Sequence, residues 1–270
     1  MTGRVYLVGA GPGAPDLVTL RAARILARAE IVFFDALVHP ELLALAGRAE
    51  HVAVGKRCGA RSTAQRFINK RLVDAARRFG VVVRLKGGDP SLFGRANEEL
   101  AALRAAGVAC ELVPGVSAAF AATAALGVSL TERGVARSVT FATPRVGEAQ
   151  GASDWAAPVL AADTAALYMA ADQLAEAARA LLARGMPPHT PVVVVENASL
   201  PQQRAHPLSL ARLAAAPPAR AGGPALILLG EVYARAAGAA QPASTPCPPE
   251  RQARARSARR VRVRLARRLN

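Results

Sequence analysis

The chain reads as an α/β protein: a mainly parallel sheet with helices on both faces, followed by a second α/β lobe. Three observations predict this. Short apolar runs alternate with amphipathic stretches through the first half, which is the rhythm of βαβ units. Two of those runs share one layout: Val5-Tyr6-Leu7-Val8 enters Gly9-Ala10-Gly11-Pro12-Gly13, and Val81-Val82-Val83-Arg84-Leu85 enters Lys86-Gly87-Gly88-Asp89-Pro90. Buried strands that end in glycine turns place a cleft at the carboxyl edge of a parallel sheet, where open α/β folds bind ligands.

Residues 4–9 form the first expected strand and 16–29 the first helix. Residues 31–34 are a second strand, with Asp35 at its carboxyl end, and 51–54 a third. A helix is expected over 62–79 with Ser62 as its N-cap, then a strand over 81–85. The helix over 97–106 stops at Gly107, a residue suited to a left-handed C-terminal cap. Residues 110–113 are a strand closed by Pro114-Gly115, and 117–126 a helix ending before Gly127. Beyond Leu130 the expected strands are 138–142, 164–169, 192–196 and 225–230. The expected helices are 173–183 and 208–215, and 144–157 is rich in loop residues. Domain bounds follow as 1–130, 131–237 and a tail over 238–270.

At 270 residues with 52% hydrophobic side chains, the chain can bury a large core. No apolar run approaches the ~20 residues that span a bilayer. Met1-Thr2-Gly3-Arg4 leads directly into a strand, unlike a signal peptide. Cys58, Cys110 and Cys247 have neither disulfide-like nor metal-ligand spacing, which fits a reducing cytoplasm. The scattered His39, His51, His189 and His206 also lack metal spacing, so no metal is expected.

The net charge of +16 raises the question of nucleic acid. Half of it sits in residues 238–270, which hold nine arginines and one glutamate among Ala, Pro and Ser; this stretch reads as a disordered appendage. Nucleic-acid contact by the tail is a secondary reading. Apart from Lys56, Lys70 and Lys86 the basic residues are arginines, which pair bidentately with carboxylates and suit a polyanionic small substrate.

The first glycine turn is half of a dinucleotide fingerprint, but Pro12 removes an amide that a phosphate would need. It equally suits close approach to a nucleoside without phosphate. Asp89 stands either as an acceptor for ligand N–H or O–H groups or as ordinary turn chemistry. Ser117 is either a helix cap or a ligand contact. Asp35 and Lys56, each at a strand end, are either a base and an acid or a surface ion pair.

Taken in order, the motifs resemble those of the uroporphyrinogen-III C-methyltransferases within the tetrapyrrole methylase family. The matching residues begin with Val5-Tyr6-Leu7-Val8-Gly9-Ala10-Gly11-Pro12-Gly13, Phe34-Asp35-Ala36-Leu37-Val38, Val54-Gly55-Lys56-Arg57 and Gln65-Arg66-Phe67-Ile68-Asn69. They continue through Arg84-Leu85-Lys86-Gly87-Gly88-Asp89-Pro90, Phe93-Gly94-Arg95, Val113-Pro114-Gly115-Val116-Ser117-Ala118, Tyr168-Met169 and Pro224-Ala225-Leu226-Ile227. The resemblance implies two α/β lobes with the active-site cleft between them, in a homodimer. It implies S-adenosylmethionine in that cleft, contacting Pro12, Gly87, Gly88, Asp89, Leu92, Ser117, Ala118, Met169, Ala198 and Ala225. It implies Asp35 as base and Lys56 as acid in methylation of uroporphyrinogen III at C2 and C7, giving precorrin-2 for sirohaem, cobalamin or haem d1. Arg57, Arg84 and Arg95 are candidates, by position, for the substrate carboxylates. Another corrinoid-precursor methyltransferase, or an RNA methyltransferase of similar fold, is the alternative.

The chain departs from the family pattern at several loops. Ala96-Asn97 replace Gly-Gly, Thr131-Glu132-Arg133-Gly134 replaces Thr-His-Arg-Asp, and Thr143-Pro144-Arg145 replaces Thr-Gly-His. Ala170 and Ala198 stand where glycines are usual.

Overall fold

A computed structural model describes residues 2–55, 65–145 and 153–238. The expected N-cap Ser62 and the tail over 238–270, apart from residue 238 itself, lie outside the described residues, as do Lys56 and Arg57. The first half runs β1 (Arg4–Gly9), a 3-10 turn (Pro15–Leu17), α1 (Leu20–Leu26), β2 (Ile31–Phe34), α2 (Pro40–Ala44) and β3 (Glu50–Ala53). It continues with α3 (Gln65–Ala76), β4 (Val81–Lys86), α4 (Ala96–Ala105), β5 (Cys110–Val113) and α5 (Ala118–Leu126). The second half holds β6 (Val139–Ala142), α6 (Ala156–Ala161), β7 (Thr164–Leu167), α7 (Leu174–Ala183) and β8 (Pro191–Glu196). After these come β9 (Arg204–Ser209), α8 (Leu210–Ala215), β10 (Ala225–Gly230), a 3-10 turn (Glu231–Tyr233) and α9 (Ala234–Gly238).

The first sheet has the order β3-β2-β4-β1-β5, and each pair in it is parallel. Side chains alternate across a strand, so each strand feeds two cores. Val5 and Leu7 of β1, Ile31 and Phe33 of β2, and Val82 of β4 face α3 and α4. Val8, Val32, Val83 and Leu85 face α1 and α2 on the opposite side. The same alternation turns Arg84 and Lys86 toward the α3 and α4 face, where both are buried. In a parallel sheet all carboxyl ends share one edge, so the loops after β1, β2, β3, β4 and β5 meet there.

The second sheet, β6-β7-β10-β8-β9, is mixed. The β6/β7 pair is parallel, whereas β10 runs antiparallel to β7 and β8, and β9 runs antiparallel to β8. One face packs on α6, α7 and α8. The other packs on α5 through Ala119, Ala122 and Leu126, so a helix that follows a strand of the first sheet is buried on the second.

Four elements differ from the sequence reading. The expected first helix is shorter, because Pro15 opens a 3-10 turn and Thr19 then caps α1, its hydroxyl accepting from the Ala22 amide at 3.2 Å. Helices α2 and α6 are too short to show a helical period. Strand β9 is a polar edge strand carrying Pro207, and it pairs on one side only. The expected cap at Gly107 is present: φ is +69°, and the Val108 amide donates to the Leu103 carbonyl at 2.9 Å.

Candidate functional site

The three glycine turns after β1, β4 and β5 are packed backbone against backbone. Gly11 and Gly88 form an antiparallel bridge, with Gly88 N donating to Gly11 O at 2.7 Å and Gly11 N to Gly88 O at 3.2 Å. A Cβ on Gly9 would lie 2.6 Å from Gly115 Cα, and one on Gly115 would lie 2.4 Å from Gly88 O. Asp89 ties the turns together. Its Oδ2 accepts from the Gly115 amide at 2.9 Å, and its Oδ1 accepts from the Ser91 amide at 2.7 Å and from the Ser91 hydroxyl. Both oxygens therefore serve the chain. Gly88 has φ +66° and only open space where a Cβ would point.

Asp35 stands beside this cluster. Gly87 packs under Leu37, whose Cβ would be 3.1 Å from a Cβ on Gly87, and Gly55 abuts the Asp35 backbone. The Asp35 side chain is 29% exposed; its Oδ1 accepts from Arg84 Nη2 at 2.6 Å. Arg84, a candidate for substrate carboxylates, is buried beneath the sheet edge. Its side chain is 3% exposed, and its other nitrogens donate to Glu99 and to the Leu85 carbonyl. Each guanidinium nitrogen thus already donates within the protein, and burial keeps the group away from the cleft surface. Lys86 Nζ donates to both Glu99 oxygens at 3.1 Å. Burial, then the neighbouring Arg84 charge, lowers the Lys86 pKa, while Glu99 and Asp35 raise it.

Arg95 lies on the turn after β4 in a left-handed conformation, φ 55°. Its Nε and Nη2 each donate to Glu98 at 2.7 Å in a half-exposed fork, which holds the Glu98 carboxyl below its usual pKa. Leu92 is half-buried in the same turn.

The second half closes the cleft. Ser117 occupies the N-cap of α5 as expected, but it makes no side-chain cap bond; its Oγ pairs with the Tyr168 hydroxyl at 2.7 Å. That hydroxyl also accepts from the Ala119 amide at 3.1 Å, so a residue of the second lobe caps α5. Burial raises the Tyr168 pKa, and these two hydrogen bonds oppose the shift. The next residue, Met169, has φ 56° and is 43% exposed. Across the cleft the Ala14 amide donates to Ser199 Oγ at 3.0 Å, which fastens the loop containing Pro12 to the loop containing Ala198. The Asn197 amide donates to the Pro224 carbonyl at 2.9 Å, which brings the turn carrying Ala198 beside the start of β10 at Ala225; both alanines are buried. Among the described residues the non-glycine residues at positive φ are Phe93, Arg95, Met169, Asn197 and Ser199, all on these loops, and such conformations gather at ligand sites.

Pro12, Gly87, Gly88, Asp89, Leu92, Ser117, Ala118, Met169, Ala198 and Ala225 lie on or beside turns tied by these hydrogen bonds, with Asp35 next to the glycine turns. The sequence reading did not single out Glu99, Tyr168 as a cap, or Ser199. Arg84 and Lys86 at alternate positions of a buried strand were the one signal that an acid had to lie beneath it. Among the described residues no cluster of side chains could hold a metal ion, and no helix is long and apolar enough to cross a membrane.

A two-lobed α/β architecture with a glycine-turn cleft defines the class, and the comparisons agree with it. The profile of the Tetrapyrrole (Corrin/Porphyrin) Methylases matches residues 4–214, and the chain belongs to that family. It is 43% identical over 238 residues to the uroporphyrinogen-III C-methyltransferase of Pseudomonas aeruginosa, covering 86% of this chain and 95% of the relative. It is 43% identical over 232 residues to a siroheme synthase of Psychrobacter sp., covering 85% of this chain and 48% of that protein. The chain therefore spans about half the length of the siroheme synthases that it matches. The crystal structure of uroporphyrin-III C-methyl transferase from Thermus thermophilus, complexed with S-adenosylhomocysteine, superposes with a TM-score of 0.77 at 40% identity. That match covers 86% of this chain and 100% of the Thermus chain.

Proposed function

We propose that this chain transfers methyl groups from S-adenosylmethionine to C2 and C7 of uroporphyrinogen III, yielding precorrin-2 and S-adenosylhomocysteine. The observation that carries the reading is the meeting of three glycine turns with an aspartate at one sheet edge, closed by a second lobe. The residues fit the methyl donor. Gly88 leaves open space, and half-exposed Met169 and Phe93 offer apolar surface beside it. The backbone supplies the polar contacts, and the bridged turns lack the run of free amides that a phosphate would require. The donor supplies an electrophilic methyl on a sulfonium.

A pyrrole carbon is a weak nucleophile, so the cleft must hold it in line and exclude water. Methylation ends with loss of a proton, which needs a base. Asp35 suits that role: Arg84 holds one oxygen, while Oδ2 takes no hydrogen bond from any described residue. Lys56, which follows Gly55 in sequence, is proposed as the acid. Arg57 and Arg95 are proposed for the eight substrate carboxylates, with Arg84 withdrawn from that set. A homodimer in the cytoplasm completes the proposal; sedimentation of the purified chain at twice the monomer mass checks the assembly.

The test mixes purified protein, S-adenosylmethionine and uroporphyrinogen III without oxygen and follows precorrin-2 absorbance. Absence of methylated product at any enzyme concentration would sink the reading. Asp35→Asn should lower turnover with nearly unchanged affinity for S-adenosylhomocysteine, whereas loss of that affinity would argue against a base.

A further inference from the structure

Beneath β4 lies a charged network that reaches the sheet edge at Asp35. Glu99 of α4 is fully buried and accepts from Arg84 Nε at 3.0 Å, from Lys86 Nζ at 3.1 Å and from Gln65 Nε2 at 3.1 Å. Two buried cations and two carboxylates make the group neutral, as burial demands. Arg84 is its bridge. Nε goes to Glu99, Nη1 to the Leu85 carbonyl at 3.1 Å, and Nη2 to Asp35 Oδ1 at 2.6 Å. A guanidinium is planar and rigid, so fixing Nε and Nη1 fixes the direction of Nη2.

We propose that Glu99 is a positioning residue for the transfer reaction. Acting through Arg84, it locks the Asp35 carboxylate so that Oδ2 is the oxygen presented to the cleft. The proposal rests on the reading of Asp35 as the base.

Three features set this network apart from a structural ion pair. It does not close on itself inside the core: it runs from a fully buried carboxylate to a carboxylate that is 29% exposed at the sheet edge. Lys86 spans both Glu99 oxygens, which stops Glu99 from swinging away from Arg84. The Phe93-Gly94-Arg95 turn closes over Lys86, since a Cβ on Gly94 would lie 3.2 Å from Lys86 Cε. Desolvation disfavours the Lys86 ammonium, and Glu99 favours it.

The experiment is a double-mutant cycle on Asp35→Asn and Glu99→Gln, read as kcat, KM for both substrates and affinity for S-adenosylhomocysteine. Glu99→Gln orphans a buried cation and could fail to fold, so Glu99→Gln/Lys86→Met is carried in parallel as a charge-neutral pair. Expected is a fall in kcat of ~10–100-fold, the scale of a misplaced reacting group, with KM and affinity unchanged within about twofold. In the Asp35→Asn background the Glu99 change should lower kcat no further, because the group that it positions is gone. Multiplied effects, or a raised KM with kcat intact, would overturn the proposal alone. Wild-type turnover in Asp35→Asn would refute the base and the proposal with it.

Discussion

Replacing Gly115 by alanine strikes where the three turns touch. The new methyl carbon would sit 2.4 Å from Gly88 O, 2.8 Å from Gly9 Cα and 3.1 Å from Gly9 C, all backbone atoms that cannot rotate aside. Ordinary contact begins near 3.4 Å, so the turns must part by about 1 Å. That movement stretches the Gly115-to-Asp89 bond of 2.9 Å and strains the Gly11–Gly88 bridge. Roughly 2 kcal/mol for overpacking and ~1 kcal/mol for the lost hydrogen bond give about 3 kcal/mol. At ~2–4 °C per kcal/mol for a chain of this size, Tm should fall by ~6–12 °C. Affinity for S-adenosylhomocysteine should drop by ~10-fold, the equivalent of one good hydrogen bond. Scanning calorimetry and ligand titration measure both. The control is Gly47→Ala, where the nearest atom is Ala44 O at 3.4 Å and φ is not positive. A Gly115→Ala protein as stable as that control, with unchanged affinity, would refute the close-packed account of the turns.

Other expected outcomes follow from single side chains. Tyr168→Phe strips the cap from α5 and leaves the Ala119 amide without its partner, costing about 1–2 kcal/mol in urea unfolding; no loss would mean that Ser117 takes over the cap. Tyr233→Phe should be neutral or stabilise by ~1 kcal/mol, because the buried hydroxyl has no partner among the described residues and burial pushes its pKa far up; a clear loss in thermal melts would reveal a partner. The carboxylate of Asp163 accepts from the Arg137 and Ser138 amides and the Ser138 hydroxyl, which lowers its pKa below 3.8. A depressed carboxyl stabilises the fold above its unfolded pKa and loses that contribution as pH falls through its folded value. Asp163→Asn should therefore melt below wild type at neutral pH, and the gap should close in acid below 3.8; a pH-independent gap would contradict the linkage.

The central strands were legible because continuous Val and Leu runs end in glycine turns, a pattern set by backbone packing that local sequence records. Asp35, Gly87 and Gly88 were legible for the same reason: each sits where a strand stops. The Glu99 network was not, since Asn97-Glu98-Glu99-Leu100 reads as the polar face of a helix, and only the crossing of α4 over β4 turns Glu99 inward. The partners of Arg84 were not legible either, because position in sequence gives the strand end, not the side of the sheet on which they wait. Strand β9 escaped because an edge strand needs neither alternation nor apolarity. The mixed order of the second sheet depends on how β10 inserts between β7 and β8, a long-range pairing with no local mark.

Helix α5 has a consequence for how the chain is made. Its apolar residues Ala119, Ala122 and Leu126 are covered in part by Leu226 and Leu228 of β10, the last strand among the described residues. On a ribosome adding ~5–20 residues per second, the ~100 residues between them take on the order of 5–20 s. Until β10 arrives, only Ala166, Val193 and Val195 of the earlier strands β7 and β8 can share in covering that face. The apolar face of α5 is thus incompletely covered until the end of synthesis, and a chaperone that shelters nascent chains would act in that window.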